Sequence, residues 1–168
     1  MDEALFYVLA GAFATASPLL LAALGELVCE KSGVFNLSVE GMMAIGAVVA
    51  FVVVKNTGSH SLGMLAGMLA AALLSSVFAV LVLRLFANQV VSGLAVGLFG
   101  LGLSAWVGAP YEGVATTAIG KLSIPVLSEI PVLGPILFRQ DVLVYSTIVV
   151  CAPVWWVLYR SKLGLIPR

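Results

Sequence analysis

Charge is what this chain has least of. Asp, Glu, Lys and Arg make up 10% of its 168 residues, against about 25% in an ordinary soluble domain. The eight acidic and eight basic side chains cancel, and the absence of a basic stripe argues against a nucleic-acid partner. Two cysteines, Cys29 and Cys151, are too few for a disulfide framework. Each sits in or at an apolar run, where a thiol behaves as a small apolar group. The single histidine, His60, has no companions at ligand spacing, so no metal site is expected. There is no Gly-x-x-x-x-Gly-Lys-[Ser/Thr] loop for a nucleotide phosphate and no catalytic constellation, so neither enzyme activity nor a cofactor is expected.

Apolar residues fill the space that charge leaves: they are 62% of the chain, and mean hydropathy is +1.17. A core built from this length could not hide that much apolar surface, whereas a bilayer solvates it. The chain therefore reads as an all-α polytopic transmembrane bundle with about five apolar segments. They cover about 4–28, 39–54, 62–86, 90–108 and 142–159. A span needs roughly 20 residues to cross ~30 Å of hydrocarbon. The second run falls short of this, and one element is expected to be interrupted at Ser32–Gly41. The acidic start Met1-Asp2-Glu3 and the lack of a small-residue cleavage site predict that the first run is kept as a span rather than removed as a signal peptide. Between the fourth and fifth runs, Pro110, Pro125, Pro131 and Pro135 break residues 109–141 too often for a spanning helix. That stretch is expected to be an external segment lying partly at the interface, with a re-entrant loop as the alternative.

Lys and Arg near the span ends set the orientation. With the N-terminus outside, Lys31, Arg84, Arg160, Lys162 and Arg168 are cytoplasmic, and Lys55, Lys121 and Arg139 are external. In the third run Gly63, Gly67, Ala71, Ser75 and Ala79 recur every four residues, and the fourth run carries Gly93 and Gly97 with Gly100, Ser104 and Gly108 on a second line. Such small residues are expected to seat helices against one another rather than to line a pore. Pro18 and Pro153 are expected to kink the first and fifth runs.

The polar chemistry concentrates in Glu30-Lys31-Ser32-Gly33-Val34-Phe35-Asn36-Leu37-Ser38-Val39-Glu40-Gly41-Met42-Met43. Hydrocarbon cannot satisfy these groups, so the passage either reaches water or lines a protein-walled path. In one reading Asn36 or Ser38 caps a helix and Glu40 sits in its first turn, favoured by the helix dipole by about 0.3–1 kcal/mol. In the other the helix is broken at membrane depth, as at transporter sites. An ionised Glu40 there would cost about 2.5–3.5 kcal/mol unless Asn36, Ser38 or Lys31 partners it. The shortness of the second run favours the embedded reading. Asn88-Gln89 is an ordinary polar turn, or a pair of amides that bond substrate or a neighbouring helix end.

At these residues the chain resembles permease subunits of bacterial ABC importers, in the branch for simple sugars, nucleosides and, more distantly, branched-chain amino acids. The passage from Glu30 to Met43 is similar to that branch's "E-[RK]-S-G-V-x-N-[IL]-x-x-E-G-M-M". Asn88-Gln89-Val90-Val91-Ser92-Gly93-Leu94-Ala95 resembles its "N-Q-V-[IV]-x-G-x-A", and Tyr159-Arg160-Ser161-Lys162-Leu163-Gly164-Leu165 looks like its approach to the cytoplasmic coupling region. The resemblance implies one transmembrane permease domain over 1–168, truncated relative to the family, because the coupling helix that follows this element is absent from the sequence. It implies a multi-pass protein of the bacterial cytoplasmic membrane that imports nucleosides or related sugars. Its partners would be ABC ATPase subunits, a second permease subunit (identical or not), an extracytoplasmic solute-binding protein and the lipid bilayer. The nucleoside-type permeases are the nearer match. A branched-chain amino acid permease, a passive channel and an inactive membrane fragment are the rival expectations. The residues expected to line the path or hold the broken helix are Asn36, Ser38, Glu40, Gly41, Asn88 and Gln89.

Overall fold

The structure, a computed structural model, describes residues 3–116 and 140–160. Among the described residues there are five helices: α1 (Glu3–Lys31), α2 (Val39–Thr57), α3 (His60–Ala79), α4 (Gln89–Gly108) and α5 (Val142–Arg160). A π-helical turn, Val80–Arg84, extends α3, and a 3-10 turn, Ala109–Tyr111, follows α4. There is no strand among the described residues. All five helices are long and apolar enough to cross a membrane. The second run, too short on its apolar residues alone, becomes a 19-residue helix because Lys55, Asn56 and Thr57 continue it. It ends where Gly58 takes a left-handed φ of 69° and returns its N–H to the Val54 carbonyl. The expectation for 109–141 falls mostly on 117–139, which lie outside the described residues.

The chain divides into two compact units, residues 1–31 with 118–168, and residues 32–117. In the first, α1 and α5 run parallel. Phe13, Leu20, Val144 and Thr147 line an open apolar cleft of about 680 Å³ between them. Further along, Val28 lies with Pro153, Val154 and Leu158. The ends meet where the Lys31 ammonium sits 4.1 Å from the centre of the Tyr159 ring, a cation–π contact. Lys31 is thus engaged by an aromatic ring, at the same end of the helix pair as Arg160. The cleft is almost wholly apolar, and its two hydroxyls are turned back to their own helices. Ser17 donates its hydroxyl back to the Phe13 carbonyl and Thr147 to that of Leu143, both at 3.1 Å. Both helices continue through their prolines, Pro18 and Pro153.

The second unit is built on glycine. α2 and α3 are antiparallel and cross where Gly46 meets Gly67: a Cβ on Gly67 would stand 2.6 Å from the Gly46 carbonyl oxygen and 3.0 Å from the Ala50 Cβ. One turn earlier on α3, a Cβ on Gly63 would reach 2.9 Å from the Ala50 carbonyl. Close backbone approach of this kind is the packing expected of the small-residue stripe. Gly67→Ala is therefore expected to destabilise the unit by about 1–3 kcal/mol, read as a lower SDS midpoint for unfolding in mixed micelles. Behind the crossing, Ile45, Leu74, Phe78, Val82 and Val96 form a buried apolar cluster, with Val34, Met42, Val49 and Leu103 packed around it. Val34 belongs to the non-helical passage, so part of that passage is core.

Candidate functional site

The site begins with a mismatch of levels. α2 and α4 run parallel, but they do not start together. A Cβ on Gly41, in the first turn of α2, would run into the Gly97 carbonyl oxygen and stand 2.8 Å from the Gly97 Cα. One on Gly100 would stand 2.8 Å from the Gly41 carbonyl. Gly97 lies eight residues beyond the start of α4, about 12 Å along its axis at 1.5 Å per residue. α2 starts two residues before Gly41 and therefore begins about a third of the way along its neighbour. The space before it is filled by residues 32–38 in non-helical conformation. Their backbone lies on Gly93, where an added Cβ would stand 2.9 Å from the Leu37 nitrogen, and on Gly97.

Non-helical backbone beside a spanning helix requires partners from the protein, and the sequence supplies them locally. Asn36 is 6% exposed and Ser38 fully buried. The Asn36 Oδ1 accepts the Ser38 N–H at 3.0 Å and the Ser38 hydroxyl at 2.5 Å. Its Nδ2 reaches the Met42 sulfur at 3.9 Å. Gln89 closes the other side. Its Oε1 accepts the Phe35 N–H at 2.8 Å, and its Nε2 donates to the Gly33 carbonyl at 3.4 Å. Gly33 has φ 80°, a left-handed turn that a larger residue would strain. Asn88 is the N-cap of α4, its Oδ1 accepting the N–H groups of Val90 and Val91 at 3.0 and 3.2 Å. The two amides of the polar turn therefore have different tasks: one starts α4 and the other binds the passage to it.

The first amides of α2 are treated differently. Ser38 occupies the N-cap position yet makes no side-chain cap, because its hydroxyl is turned to Asn36. The expected capping by Asn36 or Ser38 is thus replaced by a bond between the two. The first helical bond of α2 runs from the Met42 N–H to the Ser38 carbonyl at 3.0 Å. The first-turn N–H groups and the positive end of the dipole lie about a third of the way along α4 rather than level with its start. Glu40 stands in that turn and is exposed. Of the six residues singled out in the sequence, five are tied into packing or hydrogen bonds; Glu40 is exposed, as is Asn88 while it caps α4.

Sequence reasoning did not find two features of the site. The partner of Gly93 and Gly97 is the passage and the start of α2, not a helix flank. A five-residue π turn and a left-handed Phe86 (φ 52°) precede Asn88. Alternating glycines gave a signal for the first; a register shift inside a continuous apolar helix gives none for the second.

A family model described as branched-chain amino acid transport system/permease component matches residues 8–168. Three relatives are informative. An ABC transporter permease protein of Haloferax volcanii named for glucose is 40% identical over 154 residues, which are 89% of this chain and 47% of the relative. A guanosine ABC transporter permease protein of Bacillus subtilis is 35% identical over 164 residues, 89% of this chain and 51% of the relative. A nucleoside ABC transporter permease protein of Lactococcus lactis is 34% identical over 160 residues, again 89% of this chain and 50% of the relative. The chain spans about half the length of these relatives. No solved structure matches it.

Proposed function

Because the chain belongs to the branched-chain amino acid transport system/permease component family, we propose that it is a membrane-spanning subunit of an ATP-driven importer of nucleosides or simple sugars. It is a multi-pass protein of the cell membrane and a transport component rather than an enzyme. One observation supports a path here: α2 begins about a third of the way along α4, behind a braced non-helical passage, with Glu40 exposed in its first turn. An open helix start at this height presents N–H donors and a carboxylate to a polar solute. Hydroxyl-rich sugars and nucleosides fit that pairing of donors and acceptors. The names of the matched relatives favour these solutes over branched-chain amino acids. Asn36, Ser38, Gly41, Asn88 and Gln89 hold the opening, and Glu40 faces the path.

The drive comes from outside the chain. ATPase subunits hydrolyse ATP beneath a pair of permease subunits, a solute-binding protein delivers substrate on the other side, and ATP-linked closure shifts the pair between outward and inward states. The test is to recover the tagged chain from detergent-solubilised native membranes and to measure uptake of guanosine and glucose in vesicles. A stoichiometric ATPase and ATP-dependent uptake are expected. Glu40→Gln is expected to lower uptake at least tenfold with the amount of chain in the membrane unchanged. Uptake that persists without ATP would mean a passive channel. Recovery of the inserted chain with no ATPase would mean that this length of chain does not assemble a transporter.

A further inference from the structure

The corner between α3 and α4 carries two departures from regular helix within seven residues, and both lie shortly before Gln89, which braces the passage. From Val80 to Arg84 the chain is π-helical, closed by the Leu85 N–H on the Val80 carbonyl at 3.1 Å. Such turns hold one residue more than the α turn they replace and concentrate at functional positions. Phe86 then takes φ 52°, held by the Ala87 N–H on the Leu81 carbonyl at 3.0 Å, a helix stop that normally uses glycine. A bulky side chain is disfavoured in this region. Phe86 is 88% exposed, so no packing within its unit offsets the strain. Strain held by one backbone bond, with no side-chain packing in its unit to offset it, suggests a state held for use.

We propose that this corner is a two-setting switch for the passage: the π turn with left-handed Phe86 latches Gln89 onto residues 33–35, and closing the π turn to α releases it. Closure hands one residue to the linker 85–88, relaxes Phe86 to negative φ and frees Asn88 and Gln89 to move by about one helical rise, 1.5 Å. The Gln89–Phe35 bond, at 2.8 Å, does not survive that displacement within ordinary hydrogen-bond length. In the latched setting the passage is pinned to α4 and the start of α2 is held at Gly97. In the released setting the passage moves as one piece, because Asn36 and Ser38 bond each other rather than α4. This rests on the transport reading above, for which it supplies the moving part on this chain.

The test measures the distance between spin labels at Phe35→Cys and Val90→Cys in the full chain in lipid vesicles, with Cys29 and Cys151 replaced by Ala. Phe35 bonds Gln89 through its backbone and both labelled side chains are exposed, so the labels leave the latch intact. Two distance populations are expected. Phe86→Gly, which accepts positive φ without strain, is expected to lower the released-to-latched ratio at least about fivefold. Deleting Leu83, an exposed residue of the π turn, removes the spare residue and is expected to leave the short distance alone. Gln89→Leu is expected to raise the long one. One population, unmoved by Phe86→Gly and Gln89→Leu, would overturn the switch. If uptake were intact in that protein the transport reading would stand, whereas two populations in a chain that transports nothing would leave the switch and remove its purpose.

Discussion

Gly41→Ala is expected to unfold the second unit while Gly97→Ala leaves it standing, although the two glycines touch. The asymmetry lies in what each new methyl meets. On Gly41 it is driven into the Gly97 carbonyl, with the Gly97 Cα at 2.8 Å, all backbone that cannot turn aside. On Gly97 it meets the Leu37 carbonyl and Ser38 Cα at 3.4 Å, ordinary contact. Overpacking against backbone costs about 3 kcal/mol or more, and the tolerated methyl less than about 1. Gly41→Ala also forces the start of α2 away from α4, so a variant rescued by lipid or low temperature is expected to transport poorly. SDS titration of both variants in mixed micelles, set against the unsubstituted chain, reads the difference directly. Equal midpoints for the two would mean that α2 does not start against Gly97.

Asn36→Leu has the second-largest expected effect, and Ser38→Ala a small one. Leucine keeps about the volume of asparagine but removes the acceptor for both the Ser38 N–H and the Ser38 hydroxyl, in a residue with no exposure. Each buried donor left without a partner costs about 1–3 kcal/mol, so the loss is roughly 2–6 kcal/mol, with the backbone N–H unable to rotate towards another acceptor. Ser38→Ala removes a donor together with its need and costs about 1 kcal/mol. The same titration measures both. Asn36→Leu less harmful than Ser38→Ala would contradict a passage held by the Asn36 amide oxygen.

The contrast between these pairs also explains what the sequence made legible. Hydropathy marks α1, α3, α4 and α5 to within a few residues, because each is a long apolar run bounded by charge or polar turns. It misplaces the end of α2, since Lys55 and Asn56 look like a stop and yet carry one more turn. They are served at that end by the Ala115 carbonyl, at 3.1 Å from the Lys55 Nζ, and by the Tyr111 hydroxyl, at 3.4 Å from the Asn56 Nδ2. The polar passage is conspicuous for the same reason that the helices are: it is the place where oil stops. Its internal arrangement is not legible. Nothing in Asn36-Leu37-Ser38 says that the serine turns to the asparagine rather than to α2, because both bonds are local and similar in energy. Gln89 lies more than fifty residues from the backbone it holds, and only the parallel run of α2 and α4 brings them together. The small-residue stripes announce close contact, but a period of four does not say whether the partner is a helix flank or a broken strand of chain.

The most direct test of the central claim, that a polar opening lies beside Glu40 about a third of the way along α4, is thiol labelling. Glu40→Cys and Leu98→Cys, an exposed α4 position, are made with Cys29 and Cys151 replaced by Ala, and each is treated in membranes with a water-soluble maleimide. Glu40→Cys is expected to react and to be protected by added guanosine or glucose, while Leu98→Cys, on an exposed apolar stretch of α4, is expected to stay unlabelled. A Glu40→Cys as inert as Leu98→Cys, or one that reacts equally with and without solute, would contradict the account.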